Sequence, residues 1–250
     1  MNKLLFVLSW TLICFLILPI FVIVYMSFSS DLYFTFDNTF SLRWYYDLVY
    51  DDKWLKSLKN SLIFGVLSMI ISLFVGVPAA LWLHSTKQFR HFVVGLVLSP
   101  MIIPPMISAV SWFFFYTQIG LNNSFLEIII SHSILGIPFV VISVLASMTN
   151  YNKTYEKCAR ICGATHMQIF TKITLPVILP GILVGAILSF ISSFDELIAV
   201  LFLSTYDTGT LPLLMWSSMR ENISPVVLAV TSLLVLFSFV SIVSVQILKK

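Results

Sequence analysis

The sequence predicts an all-α, polytopic membrane protein with six transmembrane helices, and three observations carry that reading. The 250 residues are 59% hydrophobic and only 10% charged, with 22 phenylalanines and a mean hydropathy of +1.00. A soluble domain has about a quarter of its residues charged. Six stretches are long and apolar enough to cross a bilayer, which takes about 20 residues of helix. Lysines and arginines, finally, gather in alternate connecting segments.

In order, the expected spans are Leu4–Phe28, Leu58–Leu83, Phe92–Thr117, Phe125–Met148, Pro176–Leu203 and Pro225–Leu248. The first follows Lys3 as a secretory signal would. Its apolar run of about 25 residues exceeds the roughly 7–15 of a signal core, however, and no Ala-x-Ala-like site follows. It is expected to remain as a helix. Residues 29–57 form a segment rich in aromatics and acids, and Arg43-Trp44-Tyr45-Tyr46 within it suits the headgroup level. Pro104-Pro105 and Pro138 remove backbone donors inside spans three and four and predict bends, which membrane helices tolerate when neighbours compensate. One membrane domain over residues 1–250 is expected, with no soluble domain and no low-complexity tract.

Orientation follows from the basic residues. With the N-terminus inside, the inner segments hold Lys3, Lys87, Arg90, Lys153, Lys157, Arg160, Lys172, Lys249 and Lys250 against one acid, Glu156, a net of +8. The outer segments hold Arg43, Lys53, Lys56, Lys59 and Arg220 against Asp31, Asp37, Asp47, Asp51, Asp52, Asp207 and Glu221, a net of −2. Both termini are therefore expected in the cytoplasm, and the overall +3 reflects topology rather than nucleic-acid binding.

The three cysteines carry little chemistry. Cys14 lies in the first span, while Cys158 and Cys162 fall in an inner segment where thiols stay reduced. Their i, i+4 spacing could hold a metal with His166, but small-residue packing is the preferred reading and no metal site is expected.

The inner segment 150–172 reads NYNKTYEKCARICGATHMQIFTK and runs into Ile173-Thr174-Leu175-Pro176. Tyr155–Ile161 predicts a short helix, Gly163 a turn that residues with a Cβ resist, and Met167–Phe170 the start of a second helix.

This hairpin resembles the coupling signature of the permease subunits of ABC importers: Glu-Ala-Ala, three residues, Gly, nine residues, then Ile-x-Leu-Pro. Gly163, Ile173, Leu175 and Pro176 fit that spacing, whereas the triplet reads Lys157-Cys158-Ala159 and the acid, Glu156, stands one place early. Trp44-Tyr45, Asn60-Ser61-Leu62, Ser99-Pro100, Ser131-His132, Pro138-Phe139-Val140-Val141, Asp195-Glu196, Leu211-Pro212 and Ser224-Pro225 extend the likeness in order along the chain. Together they are most similar to permeases of the spermidine/putrescine (polyamine) importer family. An acid often follows Ser-Pro in the third span of polyamine members, and here that residue is Met101.

The resemblance implies a type I ABC importer permease fold (MetI-like) in the bacterial inner membrane. It implies as partners an ATPase subunit dimer, a second homologous permease and an extracytoplasmic substrate-binding protein. It also implies that Glu156, Lys157, Cys158, Ala159, Arg160, Gly163 and Ala164 couple the chain to the ATPase. No G-x-x-x-x-G-K-[ST] is present, and none of the nine glycines precedes a lysine, so no ATP site is expected in this chain and no cofactor of its own. ATP is expected on the partner.

Asp195 and Glu196 stand within the fifth span, about 10–12 Å below its outer end. An ionised side chain at mid-bilayer costs about 3 kcal/mol on insertion scales, so exposure of this pair to lipid is not expected. Helical spacing puts Ser192, Ser193, Asp195, Glu196 and Ala199 on one stripe, opposite Phe190, Leu197, Ile198 and Leu201. Such a stripe suits a cation route through charge-assisted hydrogen bonds. It equally suits a helix–helix polar lock or a salt bridge to Arg220 or a partner.

Trp112 and Tyr116, in the third span, could add cation–π contact or form an interfacial belt. Glu127, near the outer interface, and His132, expected to satisfy a neighbouring helix, are weaker candidates. A secondary carrier would show an internal repeat or paired broken helices, and a membrane enzyme a constellation such as H-E-x-x-H. The sequence displays neither, so a carrier or channel is the alternative class, and iron or another small molecule the alternative cargo.

Overall fold

The computed structural model describes residues 3–30, 40–86, 90–121, 124–149, 151–152, 154–221 and 224–248. Of the residues used for orientation, Asp31, Asp37, Lys87, Lys153, Lys249 and Lys250 lie outside the described set, as does Asn150.

The fold is all-α. Twelve helices follow in order among the described residues: α1 Lys3–Ser27, α2 Arg43–Tyr50, α3 Asp52–Ser85, α4 Arg90–Ile102, α5 Pro105–Gln118, α6 Phe125–Ser147, α7 Thr154–Ile161, α8 His166–Ile169, α9 Leu175–Phe194, α10 Ile198–Leu203, α11 Leu211–Glu221 and α12 Val226–Leu248. A π-helical turn, Phe170–Thr174, joins α8 to α9.

Four continuous helical stretches are long and apolar enough to cross a membrane: Leu5–Ser27, Asp52–Ser85, Phe125–Ser147 and His166–Phe194. The count rises to five if α4 and α5 together make one span, and the described apolar part of α12, Val226–Phe239, is short of the length required. The expected count of six is thus not reproduced in full.

Two of the expected spans are interrupted. The third is a pair of helices bent by 96° between Ile102 and Pro105, because neither Pro104 nor Pro105 has an N–H to continue the ladder. The fifth, expected to run unbroken from Pro176 to Leu203, stops at Phe194 and resumes as α10 at Ile198. Asp195 and Glu196 therefore occupy a break, and the single helical stripe expected through Ala199 does not form.

The chain divides into two compact units, Met1–Lys56 with Leu214–Lys250 and Ser57–Leu213. In the first, α2 is fastened by its aromatics. The Tyr45 hydroxyl lies 2.7 Å from Ser27 Oγ and 2.7 Å from Ser232 Oγ, bridging the end of α1 and the body of α12. Trp44 is buried and its indole N–H donates to the Ser29 carbonyl at 2.6 Å. Of the aromatics expected at the headgroup level, these two are packing struts, and Tyr46 is exposed.

In the second unit α6 is the axis. Small residues recur at every fourth position of the two helices beside it: Ser68, Ser72, Gly76 and Ala80 on α3, and Gly181, Gly185, Ser189 and Ser193 on α9, all buried. Without a hydrophobic drive inside lipid, helices associate through close packing and interhelical hydrogen bonds, which small residues permit.

The approach is tight. A Cβ on Gly185 would stand 2.9 Å from Val140 Cα, one on Gly181 2.6 Å from the Ser143 carbonyl, and one on Gly136 would overlap Ser72 Oγ and Ser189 Oγ. Ser68 Oγ donates to the Ile129 carbonyl at 3.1 Å, and Ser72 Oγ to the Ser133 carbonyl at 3.0 Å.

Two apolar clusters flank this polar seam. One gathers Ala80, Leu83, Val140, Val141, Val144, Met148, Tyr151 and Ile178; the other gathers Phe64, Tyr116, Ile128, Ile129, Ala199, Val200 and Leu203.

Candidate functional site

Two places in the second unit bring together the residues singled out by the sequence, and α6 and α9 connect them. The first is the break after α9. Asp195 N–H donates to the Ile191 carbonyl at 3.0 Å and closes the helix, leaving Asp195 exposed and Glu196 half-buried. Glu196 Oε1 then accepts from the N–H groups of Ile198 at 2.9 Å and Ala199 at 3.0 Å. In an unbroken helix those two donors would bond to the carbonyls of Phe194 and Asp195. The carboxylate substitutes for the backbone acceptors and starts α10, as a capping side chain does.

Ser193, one residue before the end of α9, is buried and shares a 2.7 Å hydrogen bond with His132 Nδ1 on α6. His132 is fully buried, and its Nε2 has no hydrogen-bond partner among the described residues. Ser192 is half-buried. Within Ser57–Leu213 no described cation forms an ion pair with Asp195 or Glu196.

Tyr116 is buried in the cluster with Ala199, Val200 and Leu203, and Trp112 packs at its edge. The Tyr116 hydroxyl lies 3.1 Å from Ser131 Oγ on α6. The structure thus sets Trp112 and Tyr116 against α10, the helix that Glu196 initiates, with the Tyr116 ring enclosed. Glu127, expected near a solvated interface, is buried, and its carboxylate accepts from Ser124 N–H at 3.1 Å at the start of α6.

The second place is the hairpin after α6. α7 ends in a Schellman motif: Ala164 N–H donates to the Ala159 carbonyl at 3.0 Å and Gly163 N–H to the Arg160 carbonyl at 3.0 Å. Gly163 has φ +83°, the left-handed conformation this motif requires. Thr165 and Gln168 form a capping box that opens α8, with Thr165 N–H donating to Gln168 Oε1 at 2.9 Å and Gln168 N–H to Thr165 Oγ1 at 3.3 Å. The T-x-x-Q spacing signals it in the sequence.

Lys157, Cys158 and Arg160 are exposed on α7, Ala159 and Ala164 are half-buried, and Ile161 is 86% exposed. Cys158 and Cys162 are free thiols, and no group of three metal-ligating side chains occurs among the described residues.

Glu156 turns inward instead. The Tyr151 hydroxyl donates to Glu156 Oε1 at 2.7 Å and lies 3.0 Å from Thr174 Oγ1, at the end of the π-turn leading into α9. Tyr151 and Thr174 are both buried, and the Tyr151 ring meets His84 edge-on at a centroid distance of 6.0 Å. Burial raises the Tyr151 phenol above its ordinary value of 10.0, with the Thr174 bond opposing and Glu156 adding to the rise. The hydroxyl is a proton donor at neutral pH. Tyr151 and Thr174 were not singled out from the sequence, since a tyrosine and a threonine 23 positions apart carry no spacing signal.

Comparison with known proteins places this geometry among transporters. Residues 72–250 match the family described as "Binding-protein-dependent transport system inner membrane component". The chain is 26% identical over 237 residues, covering 94% of it and 90% of the relative, to the spermidine/putrescine transport system permease protein PotC of Escherichia coli (strain K12). It is 27% identical over 228 residues, covering 88% of it and 81% of the relative, to the putrescine transport system permease protein PotI of the same organism. A solved bacterial ABC transporter involved in the import of the acidic polysaccharide alginate shares the fold, with a TM-score of 0.71 at 19% identity, over 97% of this chain and 93% of that one.

Proposed function

Because the chain belongs to the family of binding-protein-dependent transport system inner membrane components, we propose that it is the permease subunit of an ATP-driven importer of spermidine- or putrescine-type polyamines. Likeness to PotC over 94% of the chain carries the reading. The alginate transporter has the same fold and takes part in the import of an acidic polysaccharide, so cargo follows from side chains rather than architecture.

The cation chemistry rests on Asp195 and Glu196. Both interrupt a helix otherwise written for lipid, and an intramembrane acid is by default a functional candidate. Asp195 is exposed, and Glu196 keeps one oxygen beyond the one that caps α10. Ammonium groups of a polyamine can be received there by charge-assisted hydrogen bonds, with Ser192 beside them and Trp112 and Tyr116 behind α10.

Both termini face the cytoplasm in this reading, and the 150–172 hairpin meets a separate ATPase dimer through Lys157, Cys158, Ala159, Arg160, Gly163 and Ala164. ATP hydrolysis belongs to that partner. A second permease completes the membrane path, and a binding protein delivers substrate from outside. Closure of the ATPase dimer moves the hairpin, and α9 carries the movement to the acidic break.

Uptake of labelled spermidine and putrescine in cells lacking their own polyamine importers tests the proposal, with the chain expressed beside its ATPase, sister permease and binding protein. Uptake should require an intact ATPase. Persistence with an inactive ATPase would make the chain a carrier, and import of iron or another solute alone would reassign the cargo. Reporter fusions after Lys87 and Asp207 should lie inside and outside respectively, and the reverse overturns the orientation.

A further inference from the structure

We propose that Tyr151 is a positioning residue that latches the coupling helix α7 to the foot of α9, with the Glu156 carboxylate used as an internal strut and withheld from the ATPase. The inference rests on the permease reading above and deepens it by naming how the hairpin is joined to the spans.

Three observations converge on one hydroxyl. Tyr151 donates to Glu156 Oε1 on α7 at 2.7 Å, and the same hydroxyl oxygen lies 3.0 Å from Thr174 Oγ1, where the π-turn becomes α9. Its ring belongs to the apolar cluster formed by α3, the end of α6 and the start of α9, through Leu83, Val144, Met148 and Ile178. A side chain anchored in three helices therefore holds the first acid of α7. No side chain of α7 is fully buried, so this bond anchors the helix to α9 beside the chain running through Gly163 and α8.

The displaced acid acquires a physical account here. Lys157 stands where the coupling signature has its Glu, and it is exposed beside Arg160 and Ile161. Glu156, one position and about 100° earlier around the helix, meets Tyr151. A hydrogen bond to a charged group is stronger than one between neutral groups, and this one is part-buried, with its Tyr151 end enclosed. The hairpin then moves as one piece with α9, which any displacement of α7 must do if it is to reach Asp195 and Glu196. π-helical turns are rare and frequently mark functional sites, and Thr174 ends this one.

The test compares Tyr151→Phe, Glu156→Ala and Glu156→Gln with the wild type in two measurements. Amide hydrogen exchange over residues 154–162 of the purified chain needs neither partner nor substrate. Tyr151→Phe and Glu156→Ala should speed it by about ten-fold, the scale of losing a hydrogen bond to a charged group. Glu156→Gln keeps an acceptor oxygen but loses the charge, and should fall between these variants and the wild type.

In the reconstituted transporter, the first two variants should hydrolyse several times more ATP per polyamine imported at unchanged assembly, and Glu156→Gln should lie between them and the wild type. Unchanged exchange in Tyr151→Phe overturns the latch. Faster exchange with an unchanged ATP ratio overturns its role in coupling and leaves a packing contact. If the wild-type assembly imports no polyamine, the permease-cargo reading fails, while the exchange measurement still decides the latch.

Discussion

His132 Nδ1 lies 2.7 Å from Ser193 Oγ, so the middle of α6 is bonded to the last buried residue of α9, two positions before the exposed Asp195. The acidic break is therefore mounted on a closely packed helix pair, in which a Cβ on Gly185 of α9 would stand 2.9 Å from Val140 Cα of α6. Removing one partner leaves a buried polar group unsatisfied, which costs about 1–3 kcal/mol, whereas removing both is far milder. Ser193→Ala and His132→Leu should each lower the thermal unfolding temperature of the purified protein, and the double variant should fall by less than their sum. Strict additivity would show that the bond does not hold the helices together.

The seam also predicts opposite signs for one substitution at two glycines. Gly185→Ala places a Cβ 2.9 Å from Val140 Cα, a backbone atom that cannot move aside, and overpacking of this kind costs about 1–3 kcal/mol. On α4, a Cβ added at Gly95 would meet nothing within 4 Å, so Gly95→Ala should be neutral or stabilising by about 0.5–1 kcal/mol through helix propensity. Thermal unfolding of the two variants side by side distinguishes the seam from a general sensitivity to alanine.

The two acids separate into charge and cap. Asp195→Asn with Glu196→Gln removes both charges but keeps a carbonyl oxygen for the N–H groups of Ile198 and Ala199. Polyamine uptake should drop about ten-fold or more, the equivalent of one charge-assisted hydrogen bond, with the membrane level unchanged. Glu196→Ala should add a stability loss of about 0.5–2 kcal/mol from the missing cap. Full transport by the double variant would assign the pair to structure alone.

Gly163 needs its left-handed φ of +83° and has open space around it. Gly163→Ala should cost about 1–2 kcal/mol from backbone strain alone, Gly163→Asn should be milder, and Gly163→Pro cannot adopt the turn because its ring sets φ at about −65°. ATP hydrolysis and uptake measured together should show the proline variant present in the membrane but uncoupled. Normal uptake by it would remove the hairpin from the coupling path.

Much of the fold is legible in the residues themselves. Apolar length alone marks where the chain runs through lipid, because a span must satisfy every backbone group internally and so must be helical. The bend at Pro104-Pro105, the turn at Gly163 and the helix before it follow from local chemistry: a missing N–H, an absent Cβ, a cap. The fourth-position spacing of Gly181, Gly185, Ser189 and Ser193 is visible in the sequence as well, although its partner helix is not.

Only the tertiary structure decided what the polar residues do. Hydropathy carries a helix straight through Asp195 and Glu196, and the break appears because the Glu196 carboxylate competes successfully for two backbone donors. Tyr116 reads as a cation-route or interfacial-belt aromatic and Glu127 as an interface acid, and both are enclosed because other helices close over them. Glu156 and Tyr151 acquire a shared role through Thr174, at the foot of another helix. Local patterns are set by covalent geometry and solvent, so one chain segment suffices to read them; hydrogen-bond partners across helices depend on which faces meet, and that is settled only when α3, α6 and α9 pack.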